Sequence, residues 1–274
     1  MPDVNLSLNL RTGTSTALLL QPATPRGCLV VAHGAGNDRI YSFAPFFAAA
    51  LARGWEIVSL DLPGHGRGNT SVFEVERAVE DFAEAAEKAR TSMTSSDIPW
   101  FLFGNSLGGS LALRASARDL LSPAGVVAVG MPTRLHRDLR TPLGELPSLL
   151  SRAMRSYRPH VTSWREVFPA FGAFRRDEFP VRCDRPAYLD AVEAVLNRPW
   201  NPLPSNLPVL MIQGARDAVA RLSETRRWAA EHQAAGTPLT LEAIPGVGHL
   251  DVMLHDTVRT TALDWLDSRL PTVP

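Results

Sequence analysis

Short apolar runs alternate with one-faced amphipathic stretches along most of the chain, the pattern of a parallel sheet covered by helices. Residues 28–32 form a continuous apolar run followed by glycines, as expected of a strand buried on both faces. Phe43, Phe46, Phe47, Ala50 and Leu51 then recur at helical spacing. Residues 56–60 predict the next strand, and Val75, Val79, Phe82, Ala83 and Ala86 the helix after it. Residues 100–103 predict another strand, running into Gly104-Asn105-Ser106-Leu107-Gly108-Gly109 and a helix to about Arg118. Residues 125–129, 208–212 and 239–244 predict three more strands, and Val258, Ala262, Trp265 and Leu266 stripe a closing helix. Near the start, residues 5–10 and 15–21 predict a hairpin at one sheet edge.

Between residues 132 and 204 this rhythm stops. That segment holds 10 of the 22 prolines and 8 of the 20 aromatic residues, so any helix in it is broken into short pieces. One piece places Leu146, Leu149, Leu150, Ala153, Met154 and Tyr157 on one face, with Arg152, Arg155 and Arg158 elsewhere; residues 187–196 form another. The predicted fold class is therefore α/β: a mostly parallel sheet with helices on both faces. Residues 1–131 and 205–274 form its core, and residues 132–204 an inserted helical cap.

Composition narrows what such a chain can do. At 274 residues it can bury roughly 75% of its unfolded surface, so a single core suffices. Lys+Arg 28 against Asp+Glu 28 gives no net charge, which argues against nucleic-acid binding by phosphate neutralisation. A hydrophobic share of 45% with 20% charged residues excludes a disordered chain. No apolar run approaches a membrane span, and no basic region precedes Leu18-Leu19-Leu20, so a cytoplasmic location is expected. Cys28 and Cys183 make neither a metal-ligand spacing nor a disulfide framework. With no Walker A string, no G-x-G-x-x-G and no H-E-x-x-H, neither a cofactor nor a metal is expected.

The chemistry concentrates at the predicted strand ends. Gly104-Asn105-Ser106-Leu107-Gly108 is G-x-S-x-G between a strand and a helix, where a tight turn lifts the serine hydroxyl clear of the sheet. A glycine-rich turn whose serine merely caps the helix would carry the same residues. A serine nucleophile needs a base, and of seven histidines His249, in a loop just past a predicted sheet strand at the edge where Ser106 emerges, is the candidate. His136 and His160 fall in the cap, His232 on a polar helix face, and His255 at the start of the last helix; these four are expected to be solvated or capping. Asp217, after the strand at 208–212, is the carboxylate expected to hold His249. Asp61 and Asp251 are its rivals, Asp61 suiting a loop-fixing turn better. The loop His33-Gly34-Ala35-Gly36 follows the first parallel strand, so the Ala35 and Leu107 N–H groups can form an oxyanion hole. His33 itself is expected to tie that loop through its ring.

With these residues in place, the chain resembles the α/β-hydrolase superfamily everywhere except the cap. Within it, the His33-Gly34-Ala35-Gly36 loop, Asp61-x-x-Gly64-His65-Gly66 and Gly104-x-Ser106-x-Gly108-Gly109 are similar to monoacylglycerol-lipase/lysophospholipase-like serine hydrolases. Asn105 departs from the histidine common before the nucleophile, and Gly68-Asn69-Thr70 from the usual Gly-x-Ser. The resemblance implies a cofactor-independent carboxylic ester hydrolase acting on a small acyl ester through Ser106, His249 and Asp217. Thioesterase, lactonase, C–C hydrolase and acyltransferase use the same parts, and a ligand-binding protein on the fold is the non-enzyme alternative. Trp164, Phe168, Phe171 and Trp200 are candidates to line an acyl pocket.

Overall fold

The computed structural model describes residues 4–40, 42–66, 69–93, 97–136, 138, 141, 143–145 and 181–271. Its eight strands are β1 (Val4–Leu10), β2 (Gly13–Leu20), β3 (Gly27–Ala32), β4 (Trp55–Leu60), β5 (Trp100–Asn105), β6 (Val126–Val129), β7 (Val209–Gly214) and β8 (Leu239–Ile244). They form one sheet in the order β1-β2-β4-β3-β5-β6-β7-β8. The β1–β2 hairpin and the β2–β4 pair are antiparallel, and every pair from β4 to β8 is parallel. The helices are α1 (Ala44–Ala52), α2 (Ala78–Arg90), α3 (Leu107–Ala117), α4 (Tyr188–Leu196), α5 (Leu222–Ala234) and α6 (Asp256–Asp267).

Strand residues point alternately to the two faces, and each face has its own core. Val30, Ala32, Val58, Leu60 and Leu102 pack with residues of α2, α3, α4 and α5 on one side. Leu29, Val31, Ile57, Phe101 and Phe103 pack with residues of α1 and α6 on the other. β3, β4 and β7 are buried along their whole length, β3 as an apolar run and the other two with the polar Glu56, Ser59 and Gln213 buried among their apolar residues. β8, at the sheet edge, is exposed at alternate positions.

The parallel strands carry the predicted elements to within a residue or two of their expected bounds. All of them end at one edge of the sheet, which brings the β3, β5, β7 and β8 loops together. The chain leaves the sheet after β6 and returns at β7, its parallel neighbour. The amphipathic piece beginning at Leu146 lies outside the described residues. The piece expected at 187–196 is α4, whose Ala191, Val192, Val195 and Leu196 are buried in the core shared with α3.

Candidate active site

Ser106 sits between β5 and α3 with φ 50° and ψ −114°, a conformation that costs a non-glycine residue energy and persists only when its surroundings enforce it. The surroundings do so by close backbone approach. A Cβ on Gly104 would come within 2.4 Å of the Gly109 backbone, and one on Gly108 within 2.4 Å of the Ala32 carbonyl. The Ser106 N–H donates to Val129 at 2.9 Å, and the Gly108 N–H to His33 at 3.1 Å, tying the turn to the neighbouring strands. Asn105 donates its side-chain amide to the Val129 carbonyl at 3.1 Å, adding a second tie to β6.

The loop after β8 brings His249 to this serine, with Nε2 3.1 Å from Ser106 Oγ. On the other side, His249 Nδ1 is 2.9 Å from Asp217 Oδ2. A carboxylate only accepts, so Nδ1 carries the proton and Nε2 is free to accept from the serine hydroxyl. Asp217 is itself held on all sides. Its Oδ2 also accepts from Gln213 Nε2 at 2.6 Å, and its Oδ1 from the Val219 and Ala220 N–H groups at 2.9 and 2.7 Å. Burial disfavours the charged imidazole, but the charge and hydrogen bond of Asp217, helped by the charge of Glu145, outweigh it and raise the His249 pKa.

The other expected residues take distinct places. Asp61 lies buried beneath the β1–β2 hairpin, accepting from the Arg39 backbone at 2.8 Å and from the Thr16 hydroxyl and Arg39 guanidinium, and so fixes a loop. Asp251 opens the short turn Val252–Leu254, leaving Asp217 as the partner of Nδ1. His136 pairs with Glu224 at 2.7 Å, and His255 begins α6. His232 departs from expectation. It is buried against the Trp228 ring, centroids 4.1 Å apart, because Trp228 lies one turn earlier on the same face of α5 and covers it; desolvation lowers its pKa. His160 lies outside the described residues.

The loop carrying Ala35 is braced by two neutral imidazoles. His33 Nδ1 donates to Gly34 at 2.7 Å and Nε2 accepts from the Leu62 N–H at 3.0 Å. His65 Nδ1 donates to Pro63 at 3.0 Å and Nε2 accepts from the Tyr188 hydroxyl. Burial pushes these rings down to about 4 and about 3 respectively, so both are uncharged at neutral pH. The Tyr188 oxygen in turn accepts from the Gly36 N–H at 3.1 Å. Among the described residues the Ala35 and Leu107 N–H groups donate to no backbone carbonyl.

Two contributors to the site were missed in the sequence. Tyr188 and Glu145 both come from the segment between β6 and β7, and no local motif marks either; their roles arise only when that segment folds back on the strand ends. Of the candidate acyl-pocket residues, Trp164, Phe168 and Phe171 lie outside the described residues. Trp200 packs over the Arg114 guanidinium at 4.0 Å and edge-on to Trp228 at 5.0 Å, with its indole N–H donating to Thr133 at 3.1 Å. Among the described residues no group of three His, Cys, Asp or Glu side chains could hold a metal ion, and no helix is long and apolar enough to cross a membrane.

A serine in a strained strand–helix turn at the carboxyl edge of a mostly parallel sheet is the architecture of a hydrolase. Residues 29–262 match the sequence profile of the Alpha/beta hydrolase family, and the chain belongs to that family. The caffeoylshikimate esterase of Arabidopsis thaliana is 29% identical over 91 residues, which are 32% of this chain and 27% of that protein. The matches cover between 26% and 28% of the length of the curated relatives. The solved structure of a thermostable carboxyl esterase from Bacillus coagulans superposes with a TM-score of 0.68 at 18% identity, over 98% of this chain and 99% of the other. A soluble variant of the Saccharomyces cerevisiae monoglyceride lipase gives 0.68 at 17% identity, over 97% and 96%. Both share the fold of this chain.

Proposed function

We propose that the protein is a serine hydrolase that cleaves carboxylic esters of small acyl substrates. The observation that carries this reading is the 3.1 Å approach of His249 Nε2 to Ser106 Oγ, with Asp217 at 2.9 Å from the opposite ring nitrogen. Ser106 attacks the ester carbonyl as His249 takes its proton. The tetrahedral oxyanion then lies against the Ala35 and Leu107 N–H groups, each such donor contributing about 3–4 kcal/mol to the transition state. His249 next returns the proton to the leaving alcohol oxygen, giving an acyl-serine. Water, deprotonated by the same imidazole, attacks that acyl group, and collapse of the second oxyanion releases the acid and restores Ser106. Asp217 keeps the Nδ1 proton in place and stabilises the imidazolium through both steps.

The segment between β6 and β7 fits a cap over this site, because Glu145 and Tyr188, on either side of its undescribed stretch, both reach the strand ends. Trp164, Phe168 and Phe171 remain its candidate acyl contacts. Hydrolysis of short p-nitrophenyl esters and labelling by a fluorophosphonate probe test the reading. Wild-type protein is expected to do both, and Ser106→Ala to fold normally and do neither. A wild-type protein inert to esters and probe would favour a binding protein on the same fold.

A further inference from the structure

Glu145 is buried, with its side chain lodged between the β7 and β8 loops. Its Oε1 accepts from the Ala218 N–H at 2.9 Å and from the His249 N–H at 3.2 Å, and its Oε2 from the Leu250 N–H at 3.4 Å. Ala218 directly follows Asp217, so this one carboxylate links the backbones of the two residues that hold the proton relay. Among the described residues no basic side chain forms an ion pair with it. A buried carboxylate is costly unless its hydrogen bonds and the local field compensate. The positive charge that develops beside it during the reaction is that of the His249 ring.

We propose that Glu145 is a positioning residue for His249, fixing the base loop against the acid loop and stabilising the imidazolium formed when Ser106 gives up its proton. The proposal rests on the serine-hydrolase reading above and adds to it a second carboxylate, supplied by the inserted segment. The segment would thus take part in the chemistry as well as cover it.

Among the described residues, these groups face His249. The acid loop presents Asp217 to Nδ1, the elbow presents the Ser106 hydroxyl to Nε2, and the end of β6 presents Gly130, which has no titratable group. Glu145 meets the backbone N–H, and Asp251 is the charged residue two positions along the same loop. Glu145 acts on the ring in the same sense as Asp217, its charge favouring the protonated form.

The test compares wild type, Glu145→Gln and Glu145→Asp. Gln keeps the oxygen that accepts from Ala218 and His249 without the charge, giving up only the long 3.4 Å acceptor for the Leu250 N–H, whereas Asp keeps the charge on a shorter arm. The His249 ring is titrated by NMR of its labelled nitrogens, and kcat/KM for a p-nitrophenyl ester is measured across pH. In Glu145→Gln both the ring titration and the acid limb are expected to move down by about half a unit or more. A half-unit weakening of imidazolium stabilisation corresponds to a fall in turnover on the plateau of up to about threefold. Glu145→Asp is expected to stay close to the wild-type titration.

Identical His249 titrations in wild type and Glu145→Gln would overturn the proposal, whatever the activity. So would a Glu145→Gln chain that fails to fold where Glu145→Asp folds, since the charge would then be a folding requirement. The two readings fail separately. Absence of ester hydrolysis and probe labelling in wild type would remove the hydrolase reading, while the NMR titration alone would still decide whether Glu145 sets the charge on His249.

Discussion

The Gly36 N–H donates to the Tyr188 hydroxyl at 3.1 Å, so the loop beside the nucleophile is held by a side chain more than 150 residues further along the chain. Gly36 has φ +72°, the left-handed region that glycine adopts without penalty. The same hydroxyl donates to His65, whose other nitrogen is fixed on Pro63. Tyr188 therefore sets the tilt of the peptide that follows Ala35.

Tyr188→Phe tests that relationship because it removes one oxygen and little volume. The Gly36 N–H loses its acceptor and His65 Nε2 its donor, for a stability cost of about 1–3 kcal/mol. Under the proposed mechanism the Ala35 N–H then aims less well at the oxyanion, which forms only in the transition state. The expected outcome is a fall in kcat of about tenfold with KM changed far less. Steady-state kinetics on a short ester separate the two; a rise in KM at unchanged kcat would mean that Tyr188 contacts bound substrate and does not brace the loop.

The contrast between Ser106 and Tyr188 explains what the sequence could and could not disclose. Ser106 announces itself locally, because the strained turn needs Gly104 and Gly108 at fixed spacing and an apolar strand before them. His249 and Asp217 are legible from strand order, since parallel strands all end at one edge. Glu145 and Tyr188 act only through where the β6–β7 segment folds back, and the chain carries no local periodicity that encodes such a return. His232 lay between these cases. Trp228 four residues earlier signalled a covered face, but the surrounding charged residues suggested a solvated one. Residue type alone marks Trp200 as a candidate pocket aromatic, and its described neighbours are Arg114, Trp228 and Thr133.

His33 and His65, the two buried imidazoles that brace the Ala35 loop, are expected to make the protein's stability depend on pH in acid. In the unfolded chain a histidine titrates near 6.5, whereas burial pushes His33 down to about 4 and His65 to about 3 in the fold. The unfolded state therefore binds more protons below neutrality. The stability from keeping these rings neutral is fully present above about pH 6.5 and is lost as pH falls towards their folded values, at up to about 1.4 kcal/mol per pH unit for each ring. Denaturant midpoints measured from pH 8 to pH 4 are expected to fall steadily below about 6.5. Replacing His65 by Gln, which cannot be protonated, is expected to flatten that slope by roughly one proton. An unchanged slope would place the responsible groups elsewhere.

Arg114, in the last turn of α3, makes a prediction about how the β6–β7 segment is anchored. Its guanidinium is buried and, among the described residues, pairs with no carboxylate, donating to the carbonyls of Leu196 and Arg198 at 3.0 and 2.9 Å and of Pro199 at 3.1 Å. Desolvation, with the nearby charge of Arg198, pulls its pKa down to about 10, so it stays charged at neutral pH. Those carbonyls close the end of α4, where a cation is favoured by the helix dipole, and Tyr188 is the first residue of that same helix. Arg114→Ala strands the carbonyls and uncovers Trp200, for an expected loss of about 2–4 kcal/mol. Arg114→Lys is not expected to restore it, because a single ammonium cannot span three carbonyls and lie flat on an indole. Because α4 carries Tyr188, both variants are also expected to lower kcat, by less than Tyr188→Phe does. Denaturant midpoints and ester kinetics on the same preparations check both effects, and a lysine variant as stable as wild type would show that charge alone holds the helix end.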